Sequence, residues 1–154
     1  MAVGVRPYLL EPGQGLGGER AFLRQPLRLL TTGQETGQAL TLSEQRVEHG
    51  FATPLHVHHI EDESFYVVAG EVDIACGDER WRAVTGSFAF LPHSVPHAFR
   101  VVSDEAVLLR LSRPAGFEEF AAEVADVESA EENYPRIAEA AHRAGYEVLG
   151  PPPF

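Results

Sequence analysis

Residues 50–70 read GFATPLHVHHIEDESFYVVAG, and this stretch decides the fold. Three histidines and three acidic residues lie within its eight positions from His56 to Glu63. His56 and His58 are two residues apart, so on a strand both imidazoles point to the same face. The acidic segment after them can turn the chain so that the Glu63 carboxylate reaches the same point. The spacing predicts two imidazoles and one carboxylate around one ion.

A second stretch, residues 86–97, reads GSFAFLPHSVPH and supplies a third imidazole from a separate strand region. Three neutral imidazoles and one carboxylate form a mixed nitrogen and oxygen donor set. Such a set suits iron, manganese, nickel, cobalt, copper or zinc, and it does not suit calcium or magnesium. We therefore predict one divalent transition metal per chain, with ligands His56, His58, Glu63 and His97. Glu61 is an alternative fourth ligand if the intervening loop is longer than assumed.

The two stretches share a pattern of glycine, proline, histidine and glutamate at fixed spacing. It resembles the two motifs of the cupin family, and the matching positions are Gly50, His56, His58, Glu63, Gly70, Gly86, Pro92 and His97. The chain departs from the family at Ser94, where glycine is usual, and at Val101, where asparagine is usual. Neither position is a metal ligand. Serine can replace glycine in the Ser94 turn provided that the backbone does not require a positive φ.

The resemblance covers residues 27–112, and it implies an all-β fold. The cupin fold is a double-stranded β-helix, a small antiparallel jelly-roll barrel that holds the metal inside. Residues 112–120, SRPAGFEEF, are similar to the tail of small one-domain cupins that resemble quercetin (flavonol) dioxygenases. The resemblance therefore implies a metal-dependent dioxygenase that acts on an aromatic, flavonol-like or enediol-like small molecule.

The strand pattern is consistent with that fold on its own terms. Many short β-branched and aromatic runs with turn signals between them extend through residues 22–112, as expected for a barrel or sandwich. Helix signals follow, with Phe117 and Phe120 at helical spacing and a second helix predicted over residues 134–144. The chain thus divides into an N-terminal arm and strand (1–26), the cupin barrel (27–112), a C-terminal segment of one or two α-helices packed on the barrel (113–149) and a tail (150–154).

Glu63 has a second predicted role if the enzyme is of the flavonol type. It is the only carboxylate positioned to take the proton of a substrate hydroxyl, so it would be both ligand and general base. Two alternatives remain. One is a Lewis-acid metal enzyme (an isomerase, cyclase or hydrolase) that needs no dioxygen. The other is a non-enzymatic module that binds a small molecule. The shared scaffold does not decide among them.

Strand parity sorts the neighbours of the ligands. If Glu63 and His97 point inward, so do Phe65 and Phe99, which are then candidates for a substrate-binding wall or for plain core packing. Tyr66 has the opposite parity and is expected outside the barrel. The remaining histidines and acids of the two motifs are expected to be non-ligands: His59, His93, Asp62 and, as a loop acid, Glu61.

Composition narrows the function further. The chain has 154 residues and a formal net charge of −11, which argues against nucleic-acid partners. All twelve basic residues are arginine, so lysine Schiff-base chemistry and a P-loop are excluded. The single cysteine, Cys76, permits no internal disulfide. No apolar run suggests a signal peptide or membrane helix, so the expected location is the cytoplasm. Exposed barrel edges and an N-terminal arm predict a homodimer.

Overall fold

The computed structural model of the chain describes residues 5–154, which form two antiparallel sheets and three helices. The strands are β1 (Arg20–Phe22), β2 (Gln25–Thr31), β3 (Thr41–Glu48), β4 (Leu55–His58), β5 (Asp62–Ala69), β6 (Glu71–Cys76), β7 (Glu79–Val84), β8 (Phe88–Leu91), β9 (His97–Val101), β10 (Glu105–Arg113) and β11 (Tyr146–Gly150). The helices are α1 (Gly33–Thr36), α2 (Phe117–Glu123) and α3 (Tyr134–Arg143), with a 3-10 turn at Glu131–Asn133.

The two sheets have the strand orders β1-β2-β3-β10-β5-β8 and β11-β4-β9-β6-β7. Consecutive strands such as β4 and β5 lie in different sheets, so the chain crosses repeatedly from one sheet to the other. This is the all-β jelly-roll barrel that the sequence predicts. The crossing from β4 to β5 carries the motif of residues 56–63, and it places the histidine pair on one sheet and Glu63 on the other.

Alternation of burial along the strands fixes which side chains face the barrel interior. In β3 the inner positions are Thr41, Ser43, Gln45 and Val47, all buried. Most of the interior is aliphatic and aromatic, but this strand contributes hydroxyl and amide groups. The barrel core therefore has a polar side, on which the charged groups of the site also lie.

Helices α2 and α3 pack against the barrel, as the C-terminal helix signals predict. Phe117 and Phe120 are buried and meet Phe22 edge-on, with ring centroids 5.0 and 5.7 Å apart. Ile137 and Ala141 form the buried face of α3. Helix α2 begins only at Phe117, because β10 continues to Arg113. These apolar contacts close the barrel beside the candidate site.

The C-terminal strand β11 differs from the sequence expectation, which placed residues 113–149 in a helical segment and began the tail at residue 150. Gly145 ends α3 with φ +82°, a conformation that suits glycine. The chain then reverses and pairs antiparallel with β4, so that Tyr146 opposes His58 and Val148 opposes His56. A five-residue strand gives too short a sequence signal to be recognised. Its consequence is large, since it covers the edge of the strand that carries two predicted ligands.

The turn at Ser94 also differs from the expectation for serine. Ser94 has φ +66°, in the left-handed region that favours glycine, and its amide donates to the carbonyl of His58 at 2.7 Å. The backbone therefore does require a positive φ here. Serine is strained in this conformation because its Cβ lies too close to the following carbonyl oxygen.

We expect Ser94→Gly to raise the free energy of unfolding by up to about 1 kcal/mol, because glycine removes that strain. Denaturant titration of the purified variant measures the change. Ser87→Gly is the matched control, since the Ser87 hydroxyl accepts a hydrogen bond from the Val84 amide at 2.9 Å and its loss should lower stability. A Ser94→Gly variant less stable than the wild type would contradict the strain argument.

Candidate metal centre

The four predicted ligands come together between the two sheets. His56 and His58 lie on β4, His97 begins the neighbouring strand β9, and Glu63 lies on β5 of the opposite sheet. His56 and His97 oppose each other directly in the β4–β9 pair. The period-two geometry of β4 aims both of its imidazoles at the same interior point.

The spacing of the donor atoms fits a single ion. The ring centroids of the three histidines are 4.5–5.1 Å apart, and one ligand atom from each of the four residues lies within 4.8 Å of the others. Two donors on opposite sides of one ion at about 2.1 Å are separated by about 4.2 Å. The four side chains are thus gathered nearly as closely as a shared transition-metal ion requires, and their donor set suits such an ion.

Backbone carbonyls fix the orientation of two of the imidazoles. The Nδ1–H of His56 donates to the carbonyl of Pro54 at 2.7 Å, and that of His97 donates to the carbonyl of Val95 at 3.1 Å. Holding Nδ1 in this way sets the tautomer and leaves Nε2 as the donor atom for a metal.

Glu63 divides its two carboxylate oxygens between the ligand cluster and an arginine. Oε2 lies 2.8 Å from Nε2 of His97 and 3.7 Å from Nε2 of His58. Oε1 accepts a hydrogen bond from Nε of Arg110 at 2.7 Å. Burial alone would raise the pKa of Glu63, but the charge of Arg110, with the two histidines, holds this pKa well below its ordinary value.

Arg110 is a site residue that the sequence analysis missed. It lies on β10, is only 3% exposed, and its guanidinium carbon is 4.2–5.2 Å from the ring centroids of Phe22, Phe65 and Phe117. Its Nη1 is buried with no hydrogen-bond partner in residues 5–154. The sequence does contain an indication of this role, because Arg110 occupies an inward position of its strand between the inward Leu108 and Ser112. An arginine at such a position requires a buried anion.

Glu61 lies in the loop between β4 and β5, as expected, and is not one of the clustered ligand residues. Its side chain is buried, and Oε2 lies 2.8 Å from Nδ1 of His58. That approach is too bent for a regular hydrogen bond, and neither atom has another hydrogen-bond partner in the described chain. Oε1 accepts from the hydroxyl of Tyr146 at 2.7 Å, and the Tyr146 ring stacks on His58 at 4.1 Å. Glu61 and Tyr146 thus hold the far side of the His58 ring.

A cavity of about 40 Å³ borders the cluster. This volume holds on the order of three water molecules at about 10–15 Å³ each. Phe65 and Phe99 are both buried and line it, with ring centroids 5.3 Å apart. Phe117, Phe120 and Ile137 close it on the helical side. The site is therefore small and mainly apolar away from the ligands.

The other histidines of the motifs lie outside the cluster, as expected. His59 is exposed and contacts Glu147 at 3.2 Å. His93 is half exposed and pairs with Asp62 at 2.7 Å, which also accepts from the His93 amide and so stabilises the turn before His97. Tyr66 faces outward and is 45% exposed.

Two ligand histidines differ in how readily they are protonated. Burial, followed by the charges of His97 and His58, places the pKa of His56 well below its ordinary value of 6.5. Burial also lowers the pKa of His97, but the hydrogen bond to Glu63 and its charge outweigh burial and raise this pKa above 6.5. A His97 ring that donates from both nitrogens is the protonated form. A metal must displace the proton on Nε2.

We expect metal affinity to fall as the pH drops through the raised pKa of His97, by about tenfold per pH unit while one proton competes. His56 stays neutral over this range and does not add to the slope. Titrations of the metal-free protein with Co²⁺ or Zn²⁺ at several pH values measure the slope, and calorimetry in two buffers counts the released proton. An affinity that does not change between about pH 5 and 8 would contradict histidine ligation.

Comparisons with known proteins agree with the fold and the cluster. Residues 43–112 match the family described as "Cupin domain". The chain is 33% identical over 104 residues to quercetin 2,3-dioxygenase of Bacillus subtilis (strain 168), covering 67% of this chain and only 30% of that protein. Solved structures with a similar fold include KdgF from Halomonas sp. (TM-score 0.56, 18% identity, 72% of this chain and 89% of that one). An oxalate decarboxylase of Bacillus subtilis also has a similar fold (TM-score 0.58, 19% identity), and the match covers 76% of this chain and 33% of that one.

The structural similarities are at low identity and concern the fold alone. The chain also spans only 30% of the length of that curated relative. Within the described residues, no helix is long and apolar enough to cross a membrane.

Proposed function

The chain is a cupin, and from that premise we propose that it is a metal-dependent dioxygenase that cleaves an aromatic, flavonol-like or enediol-like small molecule with O2. The observation that carries the proposal is the cluster of His56, His58, Glu63 and His97, in which three of the four residues are buried and one ligand atom of each lies within 4.8 Å of the others. The similarity to a quercetin dioxygenase supports the choice of reaction.

The four residues would hold one divalent transition metal, namely Fe, Mn, Ni, Co, Cu or Zn. When bound, such an ion supplies Lewis acidity and, if it is redox-active, a route for electron transfer between an electron-rich substrate and dioxygen. The chain's own contribution is positional. The carbonyls of Pro54 and Val95 orient two imidazoles, and Arg110 orients Glu63. The phenylalanines around the cavity make its walls apolar.

Substrate would bind against Phe65 and Phe99. An aromatic ring can stack edge-on or offset against such a wall, and apolar walls with few polar groups are typical of small-molecule sites. A flavonol is larger than the cavity as it stands. The proposal therefore requires α2 or α3 to move outward when substrate enters.

Glu63 is better suited to be a ligand than a general base. Arg110 holds its pKa well below the ordinary value, so the carboxylate accepts a proton poorly. This favours a substrate that arrives already ionised, or one whose acidity the metal increases. It also favours the second candidate, a Lewis-acid isomerase, cyclase or hydrolase on the same ligands, which needs no base at Glu63. A non-enzymatic binding module is the third.

Elemental analysis of the purified protein, followed by oxygen uptake with flavonols, tests the proposal. About one equivalent of a redox-active metal, with oxygen consumption that a chelator stops and the metal restores, is the expected result. Zinc alone, or turnover of substrate without oxygen, would favour the Lewis-acid enzyme. A protein that takes up no divalent ion after soaking would overturn the metalloenzyme proposal.

The cytoplasmic location and the homodimer remain expectations from the sequence. We propose both for this protein. The proposed partners are the small-molecule substrate and O2.

A further inference from the structure

The outer face of the six-stranded sheet carries apolar side chains across four adjacent strands. Strand register aligns them in two rows. The first row crosses the four strands in the order Leu42, Leu111, Ser64 and Phe90. The next row runs from Leu109 through Tyr66 to Phe88. We name this surface the outer apolar band, and its residues are Leu42, Leu109, Leu111, Tyr66, Phe88 and Phe90.

The band is accessible where it reaches the sheet edge. Phe88 is 66% exposed, Phe90 51% and Tyr66 45%. Burying an aromatic side chain removes about 150–250 Å² from water, so these three leave roughly 300 Å² of aromatic surface in contact with solvent. Contiguous apolar surface of that size marks an interaction site far more often than single exposed residues do. Strand β8, which carries two of the three, has no strand on its outer side in residues 5–154.

The other sheet provides an internal comparison. Its outer face carries an ion-pair cluster, in which Asp73 contacts Arg82 at 2.6 Å and Arg100 at 2.7 Å. That arrangement is the usual one for an antiparallel sheet with one side in water. Charged side chains on the six-stranded sheet, such as Arg28 and Glu44, lie at the margin of the band, so the two outer faces of the barrel differ where the band lies.

We propose that the outer apolar band is the interface between two copies of this chain. Each copy has a formal net charge of −11, so two copies repel over most of their surfaces. The band contains no acidic or basic side chain, so its centre brings no like charges together. An apolar patch is also complementary to itself, as the two-fold symmetry of a homodimer demands.

The size of the band is consistent with this occupant. A stable interface buries about 800 Å² on each partner, with an apolar and aromatic centre and a polar rim. The exposed aromatics supply about a third of that area as the centre. Charged groups follow at the margin of the band, where Arg28 pairs with Glu44 at 2.8 Å on neighbouring strands. This inference rests on the homodimer in the proposed function and names its surface, and it is independent of the metal chemistry.

Sedimentation equilibrium over a wide concentration range tests the interface. The wild type should have twice the monomer mass of 16.9 kDa. Phe88→Glu should weaken the dimer by more than about 100-fold, since truncated or charged central aromatics cost the most in interfaces. Leu149→Glu is the matched control, because Leu149 is a similarly exposed apolar residue (45%) on the other sheet, and it should dimerise normally.

Two results would overturn the interface. One is a wild type that stays monomeric at every concentration, and the other is wild-type affinity in both Phe88→Glu and the milder variant Phe90→Ser. The milder variant also decides the question if Phe88→Glu does not fold. Metal content measured on the same samples separates the proposals, because a metal-loaded monomer removes only the interface, whereas a metal-free dimer removes only the metalloenzyme.

Discussion

Replacing Arg110 with leucine is expected to lower the free energy of unfolding of the metal-free protein by about 3–5 kcal/mol. The variant removes the buried cation that donates to Oε1 of Glu63 and leaves a carboxylate that is only 3% exposed. An unpaired buried charge loses its hydration without compensation. Thermal unfolding should shift downward by roughly 10 °C in a chain of this size.

A double-mutant cycle isolates the interaction. Glu63→Gln replaces the carboxylate with a neutral amide. In that background the Arg110→Leu substitution should lower the free energy of unfolding by less than in the wild type. Arg113→Leu, three residues further along the same strand and exposed, is the matched control and should change stability by no more than about 0.5 kcal/mol. Equal costs of Arg110→Leu in both backgrounds would show that the arginine matters only through its packing on the aromatic rings.

Metal should reverse part of the Arg110 effect. A divalent ion bound at the cluster would give the Glu63 carboxylate a second counter-charge, so the stability gap between variant and wild type should narrow when metal is added. A gap that stays the same in loaded protein would mean that Glu63 does not participate in binding the ion.

The resemblance to the cupin motifs predicted the barrel, and the candidate ligands were predicted because most of the information about them is local. His56, His58 and Glu63 lie within eight residues, and period-two parity aims the two imidazoles together once a strand is assumed. The same parity placed Phe65 and Phe99 inward and Tyr66 outward, and burial agrees with all three. Local spacing was therefore enough for His56, His58 and Glu63, and the second motif added His97.

What the sequence did not predict depends on register between distant strands. Arg110 reaches Glu63 because it opposes Phe65 in the β10–β5 pair, 47 residues away from the carboxylate along the chain. Tyr146 reaches Glu61 across 85 residues, through the pairing of β11 with β4. No spacing rule fixes such contacts before the topology is known. The residues that orient the ligands, such as Arg110 and Tyr146, were thus not predicted, although the ligands themselves were.

Replacing Glu61 with glutamine is expected to weaken metal binding by about 10–100-fold, the usual cost of losing a carboxylate that supports a metal-binding histidine. Its Oε2 lies 2.8 Å from Nδ1 of His58, and the negative charge makes the opposite nitrogen a stronger donor. Tyr146→Phe keeps the stacking on His58 but removes the hydroxyl that donates to Glu61, so it should cost only about fivefold.

Competition titrations with a chromogenic chelator measure the series, and circular dichroism checks that each variant folds. His58→Ala sets the lower limit, with no binding, and His59→Ala is the matched control, because this exposed neighbour points away from the cluster and should bind metal normally. The position of Glu61→Gln between these limits decides its role. Affinity equal to the wild type would make Glu61 a packing residue that happens to lie beside His58. Complete loss, equal to His58→Ala, would instead make Glu61 a ligand and require the loop of residues 59–61 to rearrange when metal binds. The intermediate affinity expected here fits the structure. Tyr146 of the C-terminal strand stacks on the His58 ring and donates to Glu61, whose other carboxylate oxygen lies beside Nδ1 of His58.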